Sequence, residues 1–448
     1  MNGRWQVAFL LVMVYPATSV RGGDPYRFEG RSQLPLVVID TSGQEIPDEP
    51  KIAATLSIID HGAGETNGLQ DRVTTRLPIG IEVRGASSQF YEKKTYGVET
   101  RDSRGKDPDV RLLGLPKESD WILYGPQSDK TLMRNFLAYR LSNQLGHYAP
   151  RTRFVEVFLR SSKTRSLESQ YVGVYLLTER VKRGSQRVDV QRLRNRKGKV
   201  AGGYVLKIDR VRERTTYFTS SMGTLVGHVY PRGSRLDASR RDWIVADFDR
   251  LERALAGSQF RHPESGYRRY LDTGSWIDSI LLNEFLKNVD AYILSTYFHK
   301  ARDGKIHMGP MWDFNLSSGN ASYGGVWHEK EWILKDRDTR FAFSVPFWWD
   351  RLLEDPKFCQ QLVARWRALR KTVLHTKALI ETIDKTAGRL QQAQRRNFQR
   401  WPLWNKYVWP NPRPYAGSYD EAVSRLKEWL RKRGEWMDAN IETLGRTS

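Results

Sequence analysis

The chain has 448 residues, 39% of them hydrophobic, including 15 Trp, 20 Tyr and 17 Phe. This length and apolar content exclude an intrinsically disordered chain and leave room for two or three domains with sizeable cores. Lys and Arg outnumber Asp and Glu by 73 to 51, a net charge of +22, which favours a polyanionic partner, although a solvated basic surface gives the same excess. The single cysteine, Cys359, excludes an intramolecular disulfide and a cysteine-based zinc site.

The first residues have the pattern of a secretory signal peptide. Arg4 supplies positive charge, residues 7–14 are apolar, and small residues follow at 17–19. We therefore predict a signal peptide at residues 1–19 and export to the periplasm, the cell envelope or the extracellular space. An N-terminus that stays tethered to the membrane is the alternative. The apolar run is too short for a comfortable span, and we expect no integral membrane span in the mature chain.

The periodicity of the remaining chain predicts three segments. Residues 20–74 form a β-rich leader segment, with strands at 34–40 and 53–60. Residues 75–232 contain short alternating runs and one helix, at 129–142, which indicates a strand-rich lobe. Residues 233–448 are mainly helical, and the helical spacing of several of their tryptophans favours core packing over a carbohydrate-binding platform. The expected fold class is α+β.

A strand, a turn of small residues and a second strand follow one another early in the strand-rich segment. The first strand ends at Arg84, the turn contains Ser87 and Ser88, and the second strand begins with Lys93 and Lys94. Small residues let backbone N–H groups approach an anion, and a strand lysine adds a point charge, so these parts can cover a phosphate. A plain hairpin gives the same pattern, and the P-loop motif is absent.

The predicted helix at 129–142 carries a further candidate ligand for phosphate. Arg134 could bind a nucleotide phosphate or a carboxylate bidentately. A solvated helix arginine is the alternative.

Two aspartates flank a predicted hairpin in the third segment. Asp290 follows an amphipathic helix for which Ser275 is a plausible N-cap, with Asp278 three residues on. Asp303 and Gly304 then give a hairpin turn signal, and the return strand leads into Asp313. Both ends of a hairpin lie on one side, so the two carboxylates can approach each other as phosphoryl transfer requires. Ordinary loop and turn positions would explain both aspartates equally well.

These motifs together resemble the CotH kinase family, the spore-coat-protein-H-like secreted atypical kinases. The resemblance runs in order over roughly residues 75–350. It is carried by residues 84–88 with the two lysines at 93 and 94, and by residues 129–135, 171–179, 288–290 and 312–314.

The resemblance implies a divergent protein-kinase-like two-lobed fold, with the N-lobe at 75–232 and the C-lobe at 233–448. It also implies ATP with Mg²⁺ or Mn²⁺, and phosphorylation of Ser or Thr in exported proteins. Asp290 would be the catalytic aspartate near the substrate hydroxyl, and Asp313 would be the metal ligand. Arg84, Ser87 and Ser88 would cover phosphates.

Other carried-over roles stay open. Lys93 or Lys94 would be the strand lysine, and Glu179 would either face the nucleotide or orient that lysine. Protein kinases have Asn five residues after the catalytic Asp, whereas this chain has Ser295. The second metal contact could then come from Asn315 or Asn288, or from Asp290 itself.

Two other functions fit the same residues. Ser295 suits a pseudokinase scaffold in coat or envelope assembly, and the basic, aromatic-rich composition suits a protein that binds anionic surface polymers. We expect no specific nucleic-acid partner.

Overall fold

The computed structural model describes residues 27–161, 165–211, 215–335 and 345–445. The predicted signal peptide lies outside the described residues. Within them, no helix is long and apolar enough to cross a membrane.

The first strands close into a barrel. They are β1 (Leu36–Asp40), β2 (Ile52–Ile59), β3 (Thr75–Arg84), β4 (Thr95–Thr100), β5 (Asp120–Tyr124), β6 (Thr152–Arg160) and β7 (Tyr171–Glu179). The strand order is β1-β2-β3-β4-β5-β7-β6, and parallel pairing of β1 with β6 completes the circle. Alternate residues such as Ile79, Ile81 and Val98 are buried and fill the interior, as the two-residue period of a small barrel requires.

A second, antiparallel sheet follows. Its strands are β10 (Tyr204–Ile208), β11 (Tyr217–Thr219), β12 (Leu225–Tyr230), β13 (Thr296–Lys300) and β14 (Ile306–Met308), in the order β11-β12-β10-β13-β14. A separate pair, β8 (Arg194–Arg196) and β9 (Lys199–Ala201), precedes it. The β13–β14 hairpin confirms the predicted turn at Asp303 and Gly304, and it places Asp290 before the hairpin and Asp313 after it.

Seven α-helices are described. They are α1 (Arg134–Gln144), α2 (Ala238–Ala256), α3 (Thr273–Leu286), α4 (Trp348–Leu353), α5 (Pro356–Arg370), α6 (Thr376–Arg400) and α7 (Tyr419–Asn440). Six of them follow residue 233, so the predicted α+β class with a strand-rich N-terminal part and a helical C-terminal part is confirmed.

Two predicted local features differ from the structure. Helix α1 begins at Arg134 rather than near Asp129. Helix α3 is capped by Asp272, whose side chain accepts from the Ser275 N–H at 2.8 Å. The predicted capping pair fails because Asp278 points elsewhere, to His147 at 2.8 Å and to Arg365 at 2.7 Å.

Hydrogen-bonded sheets cross both predicted segment boundaries. Strands β1 and β2, from the predicted leader segment, are part of the barrel with β3. Strands β10 to β12 belong to the predicted N-lobe but pair with the β13–β14 hairpin of the predicted C-lobe through β10 and β13. These pairings do not test whether the chain divides into domains at residues 74 and 232, so that division stays a prediction.

A fully buried ion pair joins α3 to α7. Arg433 Nη2 lies 3.3 Å from Glu284 Oε2, and both side chains are completely buried. Arg433 also donates to the carbonyls of Glu329 and Glu331, while Glu284 accepts from the Ile333 and Leu334 N–H groups at 2.9 Å. These bonds satisfy most of the polar atoms, which is what makes a buried pair tolerable.

Helix α6 docks on the outside of the barrel through a buried lysine. Lys93 Nζ donates to Val174 O at 2.6 Å and to Asn397 Oδ1 at 2.7 Å. A Cβ at Gly173, which has φ +112, would lie 2.7 Å from the same Asn397 oxygen. Glycine is therefore required where α6 crosses β7. Burial lowers the pKa of Lys93 well below its ordinary value.

We expect Arg433→Met to lower the free energy of unfolding by about 3 to 5 kcal/mol, because Glu284 would keep a buried, uncompensated charge. The measurement is urea-induced unfolding. Arg431→Met is the matched control, since Arg431 lies on the same helix but forms solvent-exposed ion pairs, and its effect should be much smaller. Equal effects of the two changes would contradict a central role for the buried pair.

Lys93 should also make stability depend on pH. Its pKa is lower in the folded than in the unfolded chain, so the unfolded chain binds more protons between these two values, and stability should rise with pH across that window. Lys93→Met removes this contribution. The melting temperature of the wild type should therefore rise relative to that of Lys93→Met between pH 7 and about pH 10. A constant difference would show that Lys93 titrates normally.

Candidate active site

A cleft lies between one end of the barrel and the second sheet. The barrel contributes Arg84 and the turn that follows β3, which includes Ser87 and Ser88. The loops on either side of the β13–β14 hairpin contribute Asp290 and Asp313. The cleft thus brings together residues that are more than two hundred positions apart in sequence.

Most of the predicted site residues line this cleft. They are Arg84, Ser87, Ser88, Asp290, Asp313 and Asn315. Ser295 also lines it, at the position where protein kinases have Asn. Asn288 does not: it is buried, and its Oδ1 accepts from the Asp290 N–H at 3.4 Å.

The Asp313 turn is held by α1. Asp313 has φ +63, a left-handed conformation that Asp tolerates better than most residues. Its N–H donates to Tyr139 Oη at 3.1 Å, and the next N–H, of Phe314, donates to Asn135 Oδ1 at 2.7 Å. Trp312 stacks on Tyr139 with ring centres 5.8 Å apart. The helix therefore fixes the direction in which this turn enters the cleft.

The Asp290 loop is fixed by the end of α3. Lys287 has φ +47 and ends the helix, and its buried ammonium donates to Gly325 O at 2.6 Å and His328 O at 3.0 Å. Beyond it, Asp290 O accepts from the N–H groups of Ile293 and Leu294. This single turn keeps Asp290 half-buried at the cleft wall.

Several tyrosines in the cleft stay protonated at neutral pH. Burial, reinforced by the charge of Asp313, raises the pKa of Tyr139 well above its ordinary value. Burial also raises the pKa of Tyr91 to about 12, and it raises the pKa of Tyr124 well above its ordinary value. Neutral hydroxyls are hydrogen-bonding groups for a polar ligand, and they add no negative charge beside the aspartates.

Three charged residues of the cleft were not predicted from the sequence. Lys207, Asp209 and Arg210 stand at the end of β10 and line the cleft. Lys207 Nζ lies 2.7 Å from Asp209 Oδ2, and both side chains are mostly buried. In the sequence, the lysine and the aspartate stand at the end of a short, mainly apolar run at residues 204–209. Nothing local distinguishes that pattern from Lys93 and Lys94.

The two predicted strand lysines lie apart from the cleft, which corrects their predicted contact with phosphate. Lys93 is committed to α6, because its ammonium bonds Val174 O and Asn397 Oδ1. Lys94 Nζ donates to Gln89 O at 2.7 Å within its own turn. The lysine that lines the cleft is Lys207.

Arg134 and Glu179 also point away from the cleft. Arg134 Nη1 pairs with Asp129 at 2.6 Å, and its Nε and Nη2 donate to Ser317 O and Ser318 O. Glu179 is fully buried and pairs with Arg151 at 2.8 Å. The predicted contacts of Arg134 with phosphate and of Glu179 with a nucleotide or a lysine are therefore corrected, because each side chain is held by an internal partner.

The cleft residues fit a magnesium ion that is held partly by phosphate. In the described part of the chain, no group of three His, Cys, Asp or Glu residues could enclose a metal ion. Mg²⁺ bound with a nucleotide needs only one or two carboxylates, since water and phosphate oxygens complete its coordination. Asp313, Asp290 and the amide of Asn315 supply oxygen donors of this kind on one cleft.

Comparisons with known proteins identify the family of this chain. No curated protein matches the sequence significantly. The family model described as CotH kinase protein matches residues 81–437. That span contains the whole cleft and most of the chain, and the protein therefore belongs to the CotH kinase protein family.

Proposed function

We propose that the chain is an exported protein kinase, which transfers the γ-phosphate of ATP to Ser or Thr hydroxyls of secreted or envelope proteins. The observation that carries the proposal is the meeting of Asp290 and Asp313 on one cleft, although a whole hairpin separates them in sequence. Membership of the CotH kinase protein family supports kinase activity. Export rests on the signal-peptide pattern of residues 1–19.

A two-lobed, protein-kinase-like arrangement is part of this proposal. The barrel supplies the turn that would cover phosphates, and the second sheet with its helices supplies both aspartates. In protein kinases a strand-rich lobe and a helical lobe divide the same tasks. The closed barrel and the pairing of β10 with β13 are departures from a simple partition into two halves.

Asp290 is the residue proposed to orient the acceptor hydroxyl. Its carboxylate would accept the hydrogen bond of a Ser or Thr hydroxyl and then its proton. The hydroxyl oxygen forms the new bond to phosphorus, the phosphoanhydride bond breaks, and ADP leaves. Because α3 ends in a fixed left-handed residue just before Asp290, the carboxylate is positioned before the substrate binds.

Asp313 is the residue proposed to hold the divalent cation, with Asn315 beside it. A bound Mg²⁺ or Mn²⁺ would neutralise phosphate charge. The cationic side chains of Arg84, Lys207 and Arg210 line the same cleft and would add positive charge around the phosphates. In this proposal Lys207 and Arg210 take the place of the strand lysine, Lys93 or Lys94, that the resemblance implied.

Asp290→Asn and Asp313→Ala should each lower phosphotransfer from labelled ATP by at least about 100-fold, because each removes a group needed in the transition state. Incorporation of label into protein, measured with Mg²⁺ and with Mn²⁺, is the readout. Asp107→Asn, in an exposed loop, is the control and should keep full activity. Wild-type label that persists in Asp290→Asn would remove the catalytic role from this residue.

Label that is absent from every chain, with ATP still raising the melting temperature, would instead identify a pseudokinase.

Lys207→Met should weaken ATP binding about tenfold, as expected for the loss of one charge-assisted contact to phosphate. Lys93→Met should leave the affinity for ATP unchanged, since Lys93 is bonded to Asn397 outside the cleft. Isothermal titration with Mg²⁺ and ATP measures both. The reverse result would restore Lys93 as the lysine that contacts phosphate.

A further inference from the structure

A second pocket lies behind the Asp313 loop. Residues 313, 315 and 316 of that loop line the cleft, whereas Ser318 and Asn320 line the second pocket. The segment after α6 is shared in the same way, because Trp409 lines the cleft and Arg413 lines the second pocket. The two pockets are thus connected by the same two stretches of chain.

The second pocket is strongly cationic. Four of its lining residues are basic and none is acidic: Lys130, Arg134, Arg413 and Arg425. Arg134 pairs with Asp129, and Arg425 pairs with Glu421. Lys130 Nζ donates to Lys406 O at 2.8 Å, and Arg413 Nε donates to Tyr415 Oη at 3.2 Å, so these two cations contact neutral oxygens. Two positive charges therefore stand in the pocket without a carboxylate partner among the described residues.

Other features of the pocket also suit an anion. Burial, with a contribution from nearby Arg425, lowers the pKa of Lys130 to about 8, and an incoming negative charge would relieve this repulsion. Trp429 is nine-tenths buried on the pocket wall, and its indole N–H has no hydrogen-bond partner within the described ranges. Trp327 at the pocket and Trp409 at the cleft are 49% and 43% exposed and offer apolar contact to a bound chain.

We propose that this pocket binds a phosphoserine or phosphothreonine of the protein substrate and so directs a nearby hydroxyl into the cleft. The inference rests on the proposed kinase function, whose product is this group. A phosphate monoester carries nearly two negative charges and three acceptor oxygens, so it matches several cations better than a single carboxylate does. Ser318 lies five positions after Asp313 in the sequence, a span of at most about 17 Å. An acceptor hydroxyl could therefore lie about five residues from the bound phosphate.

The test is the binding of fluorescein-labelled peptides to the full chain carrying Asp290→Asn, which cannot turn over. Three peptide pools have the same randomised flanking residues and differ only at one fixed position, which is phosphoserine, serine or glutamate. Fluorescence anisotropy measures the affinity of each pool. We expect the phosphoserine peptide to bind at least about tenfold more tightly than either other peptide. Adding Lys130→Met or Arg413→Gln should remove most of that preference. Arg192→Gln, an exposed arginine elsewhere, should leave it intact.

The remaining outcomes would overturn the inference. Equal affinity for serine and phosphoserine would exclude a phosphate site, and equal affinity for glutamate and phosphoserine would indicate a general anion pocket. Displacement of the phosphoserine peptide by a non-hydrolysable ATP analogue would place the phosphate in the cleft instead. Because binding is measured in a chain without turnover, a phosphotransfer assay on the wild type separately reports failure of the kinase proposal.

Discussion

The buried ion pair between Asp129 and Arg134 is the constraint on which the cleft depends. Asp129 accepts from the side chain and the backbone N–H of Arg134, and Arg134 in turn holds the carbonyls of Ser317 and Ser318. Helix α1 is thereby fixed to the loop that follows Asp313. Burying both charges costs free energy, which the additional hydrogen bonds offset. With α1 fixed, Tyr139 and Asn135 can hold the Asp313 turn at two consecutive N–H groups.

The two aspartates of the cleft could be predicted from the sequence because local patterns place them. A helix, an acidic loop, a hairpin with an Asp-Gly turn and a second acidic turn are local patterns, each set by residues within a few positions of one another. Hairpin geometry alone then brings Asp290 and Asp313 to the same side. The β3 strand and its small-residue turn were predictable for the same reason. The cleft itself depends on long-range packing, because the β3 turn and the two aspartates are more than two hundred positions apart in sequence.

The failures came from contacts between residues far apart in sequence. Lys93 has the appearance of a phosphate-binding lysine until α6, some 300 residues later, presents Asn397 to it. Glu179 forms an ion pair with Arg151. Arg134 forms one with Asp129, just before its own helix, and donates to the carbonyl of Ser317. Closure of the barrel depends on the pairing of β1 with β6, which no local pattern specifies. The sequence contains the charged residues of the cleft but does not say which of them stay buried elsewhere.

The difference between buried and cleft-lining basic residues also affects how the net charge of +22 is interpreted. Some basic side chains of this protein have a structural role inside it: Lys287 and Arg433 are almost fully buried and bond backbone carbonyls. Their charge serves packing, since one ammonium or guanidinium can satisfy several carbonyls at once. An excess of basic residues is therefore not sufficient evidence that the protein binds anionic surface polymers. The cations that face open space in the cleft and behind the Asp313 loop are few and grouped, which suits compact anions such as phosphates better than an extended polyanion.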